Sequence, residues 1–213
     1  VAGAGLDDNS FTLSVDWGDG SAVETFSYSA GTTSFSETHQ YLDDDPSGTS
    51  ADNYTVGLTL TDPNTGTATA STSVTVTNLA PELADLAIAD NNENGVATLS
   101  GGISDIGPED SFTLSVDWGD GSAVEAFSYP TGTTTFSETH RYLDDNPTGT
   151  AADNYTVELT VTDDDTGSST TSTMVTVTNL APVVSSDTVS QTVQYSDVIA
   201  GVTISADDVA GDD

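Results

Sequence analysis

Basic residues are almost absent from this chain. Its 213 residues include one, Arg141, against 35 acidic residues, and the formal net charge is −34 at pH 7. Nucleic acids and anionic membranes are bound through Lys and Arg, so neither is expected as a partner. A chain this acidic repels itself unless salt or cations screen it, and divalent cations are natural counter-ions.

Cysteine and lysine are missing altogether, which excludes disulfides and lysine-based crosslinks. The sequence also lacks a signal peptide, a lipidation motif and any apolar run of 18 residues, so no membrane insertion is expected. We expect an internal piece of a longer secreted chain, or one whose targeting signals have been removed. No serine has a nucleophile-elbow context, and a thin sandwich of strands offers no expected cleft, so we do not expect an enzyme.

One stretch is present twice. Ser10 to Glu24 reads SFTLSVDWGDGSAVE, and Ser111 to Glu125 reads the same. Trp17 and Trp118 give an offset of 101, and the copies agree at 56 of 72 positions from Ser10 to Pro81. The chain is therefore a tandem repeat.

Alternation of apolar and polar residues predicts strands throughout, with no helical period. We expect strands near 11–17, 21–28, 33–38, 54–61 and 68–77, and two more near 83–89 and 95–101 that precede the second copy. About seven short strands per unit favour a β-sandwich. The expected domains are 1–80, a sandwich without its first strands, 81–181, a complete sandwich, and 182–213, a tail.

Several motifs resemble the polycystic-kidney-disease-type (PKD) domain. They are VDWGDGS, then His39-Gln40-Tyr41 and Tyr54-Thr55-Val56, and in the second copy His140-Arg141-Tyr142 and YTVELTVTD from Tyr155. The resemblance covers about 10–181, and only the enlarged acidic loop before the YTV strand departs from it. It implies tandem immunoglobulin-like β-sandwiches at an extracellular or cell-surface location, and we expect a bacterial source.

The two ends of the chain look complementary. The first unit lacks the strands that the second has at 83–101, while the tail has strand-like runs near 188–194 and 198–205. Three explanations are open: an excerpt from a longer array, the start of another domain, or a fibre in which one tail completes the next chain's first unit.

The acidic loop of each unit is the strongest candidate site. Asp43-Asp44-Asp45-Pro46-Ser47-Gly48 resembles the first half of an EF-hand calcium loop, with oxygens at alternate positions and a glycine at the sixth. The expected calcium ligands are Asp43, Asp45, Ser47, Thr49 and Asp52, and in the second copy Asp144, Asn146, Thr148, Thr150 and Asp153. The alternative is a solvated loop held by Asx turns.

Other residues support weaker interpretations. Asp105, Glu109 and Asp110 form a second candidate metal site, because some PKD-like domains carry calcium near that end. Asp163 to Gly167 is interpreted as a hairpin turn. Trp17 and Trp118 are expected in the core, and His39 and His140 are expected to be structural.

The sequence as a whole predicts an extracellular structural repeat: a stalk, an adhesin shaft or a surface fibre. We expect stabilisation by Ca²⁺ and contacts with neighbouring copies or repeats, including head-to-tail strand donation. The alternative is an accessory module of a secreted multidomain protein that binds a polysaccharide or a cell-surface protein. An exposed row of aromatic side chains would favour that alternative, and the sequence shows no clear row.

Overall fold

The computed structural model describes residues 10–44, 47–64, 66–146, 148–187 and 190–208. These residues form fourteen strands and no helix, so the all-β prediction is confirmed. No helix long and apolar enough to cross a membrane occurs among them.

The first unit contributes one antiparallel sheet of four strands. They are β1 (Phe11–Asp16), β2 (Glu24–Tyr28), β3 (Ala51–Thr61) and β4 (Thr67–Thr77), in the order β2-β1-β3-β4. A long hairpin joins β3 to β4, and their eleven residues pair without a register shift.

The second unit contributes two sheets. Its strands are β5 (Glu82–Ile88), β6 (Asn91–Asn92), β7 (Val96–Ser104), β8 (Phe112–Asp117), β9 (Glu125–Tyr129), β10 (Thr135–Arg141), β11 (Ala152–Asp163) and β12 (Ser168–Thr178). One sheet has the order β10-β7-β5 and the other the order β6-β12-β11-β8-β9. Side chains from both sheets share one core, so the unit is a β-sandwich of immunoglobulin-like strand order.

Alternation in the sequence builds this core. Along β11, Tyr155, Val157, Leu159 and Val161 are buried while the residues between them face outwards or are half-buried. Trp118 follows β8 and is fully buried, which confirms its expected place in the core.

The prediction of a strand near 33–38 is wrong for the first unit, although the same segment of the second unit forms β10. The difference between the units comes from the strand that pairs with this segment. In the second unit β10 pairs with β7. By the offset of 101, the counterpart of β7 would end at residue 3, outside the described residues. The backbone of residues 33–38 therefore has no sheet partner within the described part of the chain.

The inner face of the first sheet is consequently open. Phe35 is 47% exposed, whereas its counterpart Phe136 is 4% exposed in the closed core. Trp17 and Tyr41 are half-buried, whereas Trp118 and Tyr142 are completely buried. The same sequence thus packs fully only where the second sheet is present.

The tail forms an antiparallel pair, β13 (Val183–Ser186) with β14 (Ile204–Asp207). The predicted strand near 188–194 is wrong for residues 190–194, and residues 188 and 189 lie outside the described part. The strand predicted near 198–205 begins later, at Ile204. Between the two strands the Gln191 side chain bonds both the amide and the carbonyl of Ala200, in place of backbone pairing.

Candidate metal centre at the junction between the units

The linker between the two units is held by hydrogen bonds to the second unit. Asn78 Nδ2 donates to Asp163 Oδ2 at 2.7 Å, and Ser169 Oγ donates to the carbonyl of Pro81 at 2.5 Å. Both contacts lie at the β11–β12 turn. As a result, the β11–β12 turn of the second unit lies beside the acidic loop of the first unit.

Seven aspartates meet at this junction. The first unit supplies Asp43 and Asp44, and the second supplies Asp105, Asp110, Asp163, Asp164 and Asp165. They form three overlapping groups, which are Asp43 with Asp44 and Asp165, Asp105 with Asp110 and Asp163, and Asp110 with Asp164 and Asp165. The first group includes both units.

The spacing of these carboxylates suits a shared cation. Within each group, one oxygen per residue lies within 4.8 Å of the others. Calcium binds oxygen at about 2.4 Å, so two ligands of one ion lie at most about 4.8 Å apart. Carboxylate oxygens are the ligands that this hard cation prefers, and six to eight of them surround it.

Local structure fixes the second unit's side chains. In the β11–β12 turn, Asp163 Oδ1 accepts from the Gly167 amide at 2.7 Å, which confirms the predicted hairpin turn. Asp164 Oδ1 accepts from the Ser111 amide at 2.8 Å. These bonds leave the other carboxylate oxygen of Asp164 outside the turn's own hydrogen bonding.

Burial makes this cluster unusual. Asp44, Asp110, Asp163 and Asp165 are each at most 6% exposed. Asp44 Oδ2 is buried and has no hydrogen-bond partner among the described residues. A buried carboxylate without a partner is costly, because the protein does not replace the water it has lost. A cation at the junction would supply the missing partner.

Burial and repulsion between the carboxylates both raise the pKa values of several aspartates in this cluster. Burial, together with the neighbouring carboxylates, raises the pKa of Asp110 to about 8 and that of Asp165 to about 6. Burial also raises the pKa of Asp44 and of Asp105. Both burial and the neighbouring carboxylates therefore oppose the ionised form of these side chains.

Basic side chains do not neutralise it. The ion pairs among the described residues are His39 with Asp19 and His140 with Asp120. Arg141 Nη1 instead donates to Asn94 Oδ1 at 3.1 Å.

The two histidines have a structural arrangement in both copies. His140 stacks on Trp118 with ring centroids 4.7 Å apart and bonds Asp120 at 2.8 Å. His39 does the same with Trp17 and Asp19, at 4.8 Å and 2.7 Å. The repetition of this contact in the closed core agrees with the structural interpretation.

The predicted loop ligands are only partly brought together in the first unit. Asp43 joins the junction, and Asp45 lies outside the described residues. Ser47 Oγ donates to both carboxylate oxygens of Asp52, at 2.7 and 2.9 Å, and contacts Thr49 Oγ1 at 2.8 Å. Ser47, Thr49 and Asp52 thus satisfy one another, as in the alternative interpretation of a hydrogen-bonded loop.

The acidic loop of the second unit has similar internal hydrogen bonds. Thr148 Oγ1 donates to Asp153 Oδ1 at 2.7 Å and contacts Thr150 Oγ1 at 2.8 Å. Asp144 Oδ1 accepts from the Asn146 amide at 3.2 Å, as in an Asx turn. Of these five predicted ligands, only Asp144 belongs to an acidic group in the described chain.

The second candidate metal site of the sequence is partly brought together in space. Asp105 and Asp110 do converge, with Asp163 as third member. Glu109 is exposed and belongs to none of the groups among the described residues.

Sequence reasoning missed Asp44, Asp163, Asp164 and Asp165. A signal was present, because the first unit has Pro63 and Asn64 where the second has Asp164 and Asp165. The turn of the second unit that faces the first unit thus carries two more carboxylates than its counterpart.

Comparisons with solved structures found similarity at low sequence identity. No protein-family model matches the chain, and no curated protein matches it. The chain is similar to a crystal structure of a tetra-tandem repeat in the extending region of a large adhesion protein, at 19% identity and a TM-score of 0.44. That match covers 85% of this chain and 45% of the other, so the chain spans less than half of that structure. It is also similar to the FN1–FN3 domains of chicken CNTN1, at 8% identity and a TM-score of 0.34, covering 94% and 76%. The sandwich assignment rests on the strand order and core described above.

Proposed function

We propose that this chain is a structural repeat module of an extended extracellular or cell-surface protein, and that calcium binds at its junction. The observation that supports this most strongly is the unpartnered, buried Asp44 Oδ2, grouped with Asp165 of the next unit. The PKD-type motifs and the extreme acidity agree with such a setting. The proposed role is mechanical, as in a stalk or adhesin shaft, rather than enzymatic.

Charge explains how the ion would act. Without a cation, the carboxylates of the two units repel each other across a short linker. With one, they become ligands of the same ion, and the angle between the units becomes fixed. Repeated along an array, this converts a flexible string of sandwiches into a stiff rod. Ions that bind only the ordered junction also stabilise it by mass action.

Calcium titration of paired variants tests this proposal. In isothermal calorimetry, Asp44→Asn and Asp165→Asn should each weaken junction binding about tenfold or more, because ligand charge sets calcium affinity. Glu158→Gln removes the same charge from an exposed position on β11 and should leave binding unchanged. Equal binding by all three variants and the wild type would rule out the junction site.

A second proposal concerns assembly. We propose that the open face of the first sheet is covered by the β13–β14 pair of a second copy. The closed unit supports this, because the equivalent face there is covered by β5 and β7, and β13 lies 101 residues after β5. The apolar residues Val183, Val184 and Ile204 of the pair are each at least 66% exposed. Such a contact does not close, so it would produce a filament.

Sedimentation velocity over a range of concentrations tests this assembly. The wild type should form concentration-dependent oligomers, and Val184→Asp with Ile204→Asp should remain monomeric. Met174→Asp changes an exposed apolar residue outside both surfaces and serves as the control. A wild type that stays monomeric at every concentration contradicts strand donation without affecting the junction proposal.

A further inference from the structure

A second acidic group lies within the second unit, where the chain leaves it towards the tail. Its members are Glu93, Asp144 and Asp145, and one oxygen of each lies within 4.8 Å of the others. Asp144 and Asp145 are the counterparts of Asp43 and Asp44, but their third partner comes from the same unit. The group therefore does not depend on the junction.

Three elements hold these side chains in place. Glu93 follows β6, which pairs in parallel with the end of β12, and its amide donates to the carbonyl of Thr178 at 3.0 Å. Asp144 and Asp145 follow β10, and the hydroxyl of Tyr155 donates to the carbonyl of Asp144 at 3.1 Å. The carboxylates thus belong to segments fixed by strand pairing and by a core tyrosine.

The burial of Asp145 points to a missing ligand. Asp145 is 6% exposed. Its Oδ2 atom is buried and has no hydrogen-bond partner among the described residues. Glu93 is 1% exposed. The ion pairs His39–Asp19 and His140–Asp120 of the described residues do not include Asp144 or Asp145. Buried carboxylates require a counter-ion or a proton.

We propose that Glu93, Asp144 and Asp145 form a second divalent-cation site, selective for a hard ion such as calcium. The carboxylate spacing matches ligands that share an ion at about 2.4 Å each, with one oxygen supplied by each of the three residues. Protein carbonyls or water complete the shell.

The site would also control where the chain leaves the unit. The Leu180 amide donates to Glu93 Oε1, so Glu93 joins the cation group directly to the Asn179-Leu180-Ala181-Pro182 segment. Fixing Glu93 fixes the first residues of this segment relative to the β10–β11 loop. The ion would thus set the exit direction of the chain, independently of the junction ahead of it.

The test uses the full chain and the metals alone. In the Asp44→Asn, Asp165→Asn background, calorimetry should still show calcium binding, and adding Glu93→Gln should weaken it about tenfold or more. Terbium luminescence excited through tyrosine should fall in parallel, because Tyr155 contacts the loop. Asp145→Asn serves as a second variant, and Glu158→Gln is the control. Retained binding in both Glu93→Gln and Asp145→Asn would overturn the proposal.

A measurement on the wild type covers the case in which the variants do not fold. Calcium titration followed by amide NMR should shift the signals of Asp145 and Leu180. Unchanged signals for both residues at saturating calcium would overturn the site. The amide signals of Asp44 and Asp165 follow calcium binding at the junction separately. A negative result for Asp145 and Leu180 therefore leaves the junction proposal unaffected.

Discussion

Asp44 of the first unit and Asp165 of the second belong to one carboxylate group, with oxygens within 4.8 Å, although they lie in different repeats. Neither residue has a basic neighbour among the described ion pairs. Under the proposed calcium binding, the stability of the junction depends on an ion held between these carboxylates.

The two units provide a matched test of core closure. Phe136→Ala should cost about 3–5 kcal/mol, the usual loss for a buried phenylalanine. Phe35→Ala should cost less than about 1 kcal/mol, because a half-exposed side chain has little burial to lose. Urea unfolding, followed by Trp118 and Trp17 fluorescence respectively, measures both in dilute protein. Equal costs would show that the first unit's face is covered in solution.

The glycines after each tryptophan give a second matched pair. Gly119 and Gly121 both have positive φ, at 80° and 81°. A Cβ on Gly119 would lie 2.4 Å from the Thr156 carbonyl oxygen, whereas one on Gly121 meets no atom within 4 Å. Gly121→Ala should cost about 1–2 kcal/mol from the left-handed backbone alone. Gly119→Ala should cost about 1–3 kcal/mol more because of the overlap.

Thermal and urea unfolding of the two alanine variants provide the check. Equal destabilisation would mean that the backbone near Thr156 moves aside without cost, which is inconsistent with its place in β11.

Acid should weaken the first unit through Asp19. Burial alone would raise the pKa of Asp19, but bonds from Ser21 and His39 outweigh it and lower the pKa to about 2. An unfolded aspartate titrates near 3.9. The stabilisation is therefore fully present above about pH 4 and is lost as the pH falls towards 2.

Urea unfolding of wild type and Asp19→Asn between pH 7 and pH 2 measures this effect. The stability difference between them should be largest above about pH 4 and should shrink as the pH approaches 2. A difference that stays constant across this range would contradict the assigned role of Asp19.

Local sequence predicted most of the fold. Alternation of apolar and polar residues from Tyr155 to Val161 predicted the strand and its buried face. Trp118 continues the alternation of Leu114 and Val116, which predicted its place in the core. It failed at 33–38, because strand formation there requires a partner that the described first unit does not contain. Strand propensity cannot supply missing hydrogen bonds.

The candidate site was harder to predict for a similar reason. The EF-hand-like pattern treated Asp43 and Asp52 as ligands of one ion, but Ser47 satisfies Asp52 locally. Asp44 is grouped with Asp165 of the next repeat, and a pattern within one loop cannot show that. The two copies differ at this position, with Asn64 in the first unit and Asp165 in the second. This difference was visible in the sequence, but only the three-dimensional structure shows that Asp165 lies beside Asp44.

Distance measurements between the units test the junction most directly. The chain has no cysteine, so Ser27→Cys and Ser172→Cys, both exposed, place one spin label on each unit. We predict a narrow distance distribution with calcium, a broad one with chelator, and a broad one in both conditions when Asp44→Asn and Asp165→Asn are added. The same distribution in every case would contradict a calcium-locked junction.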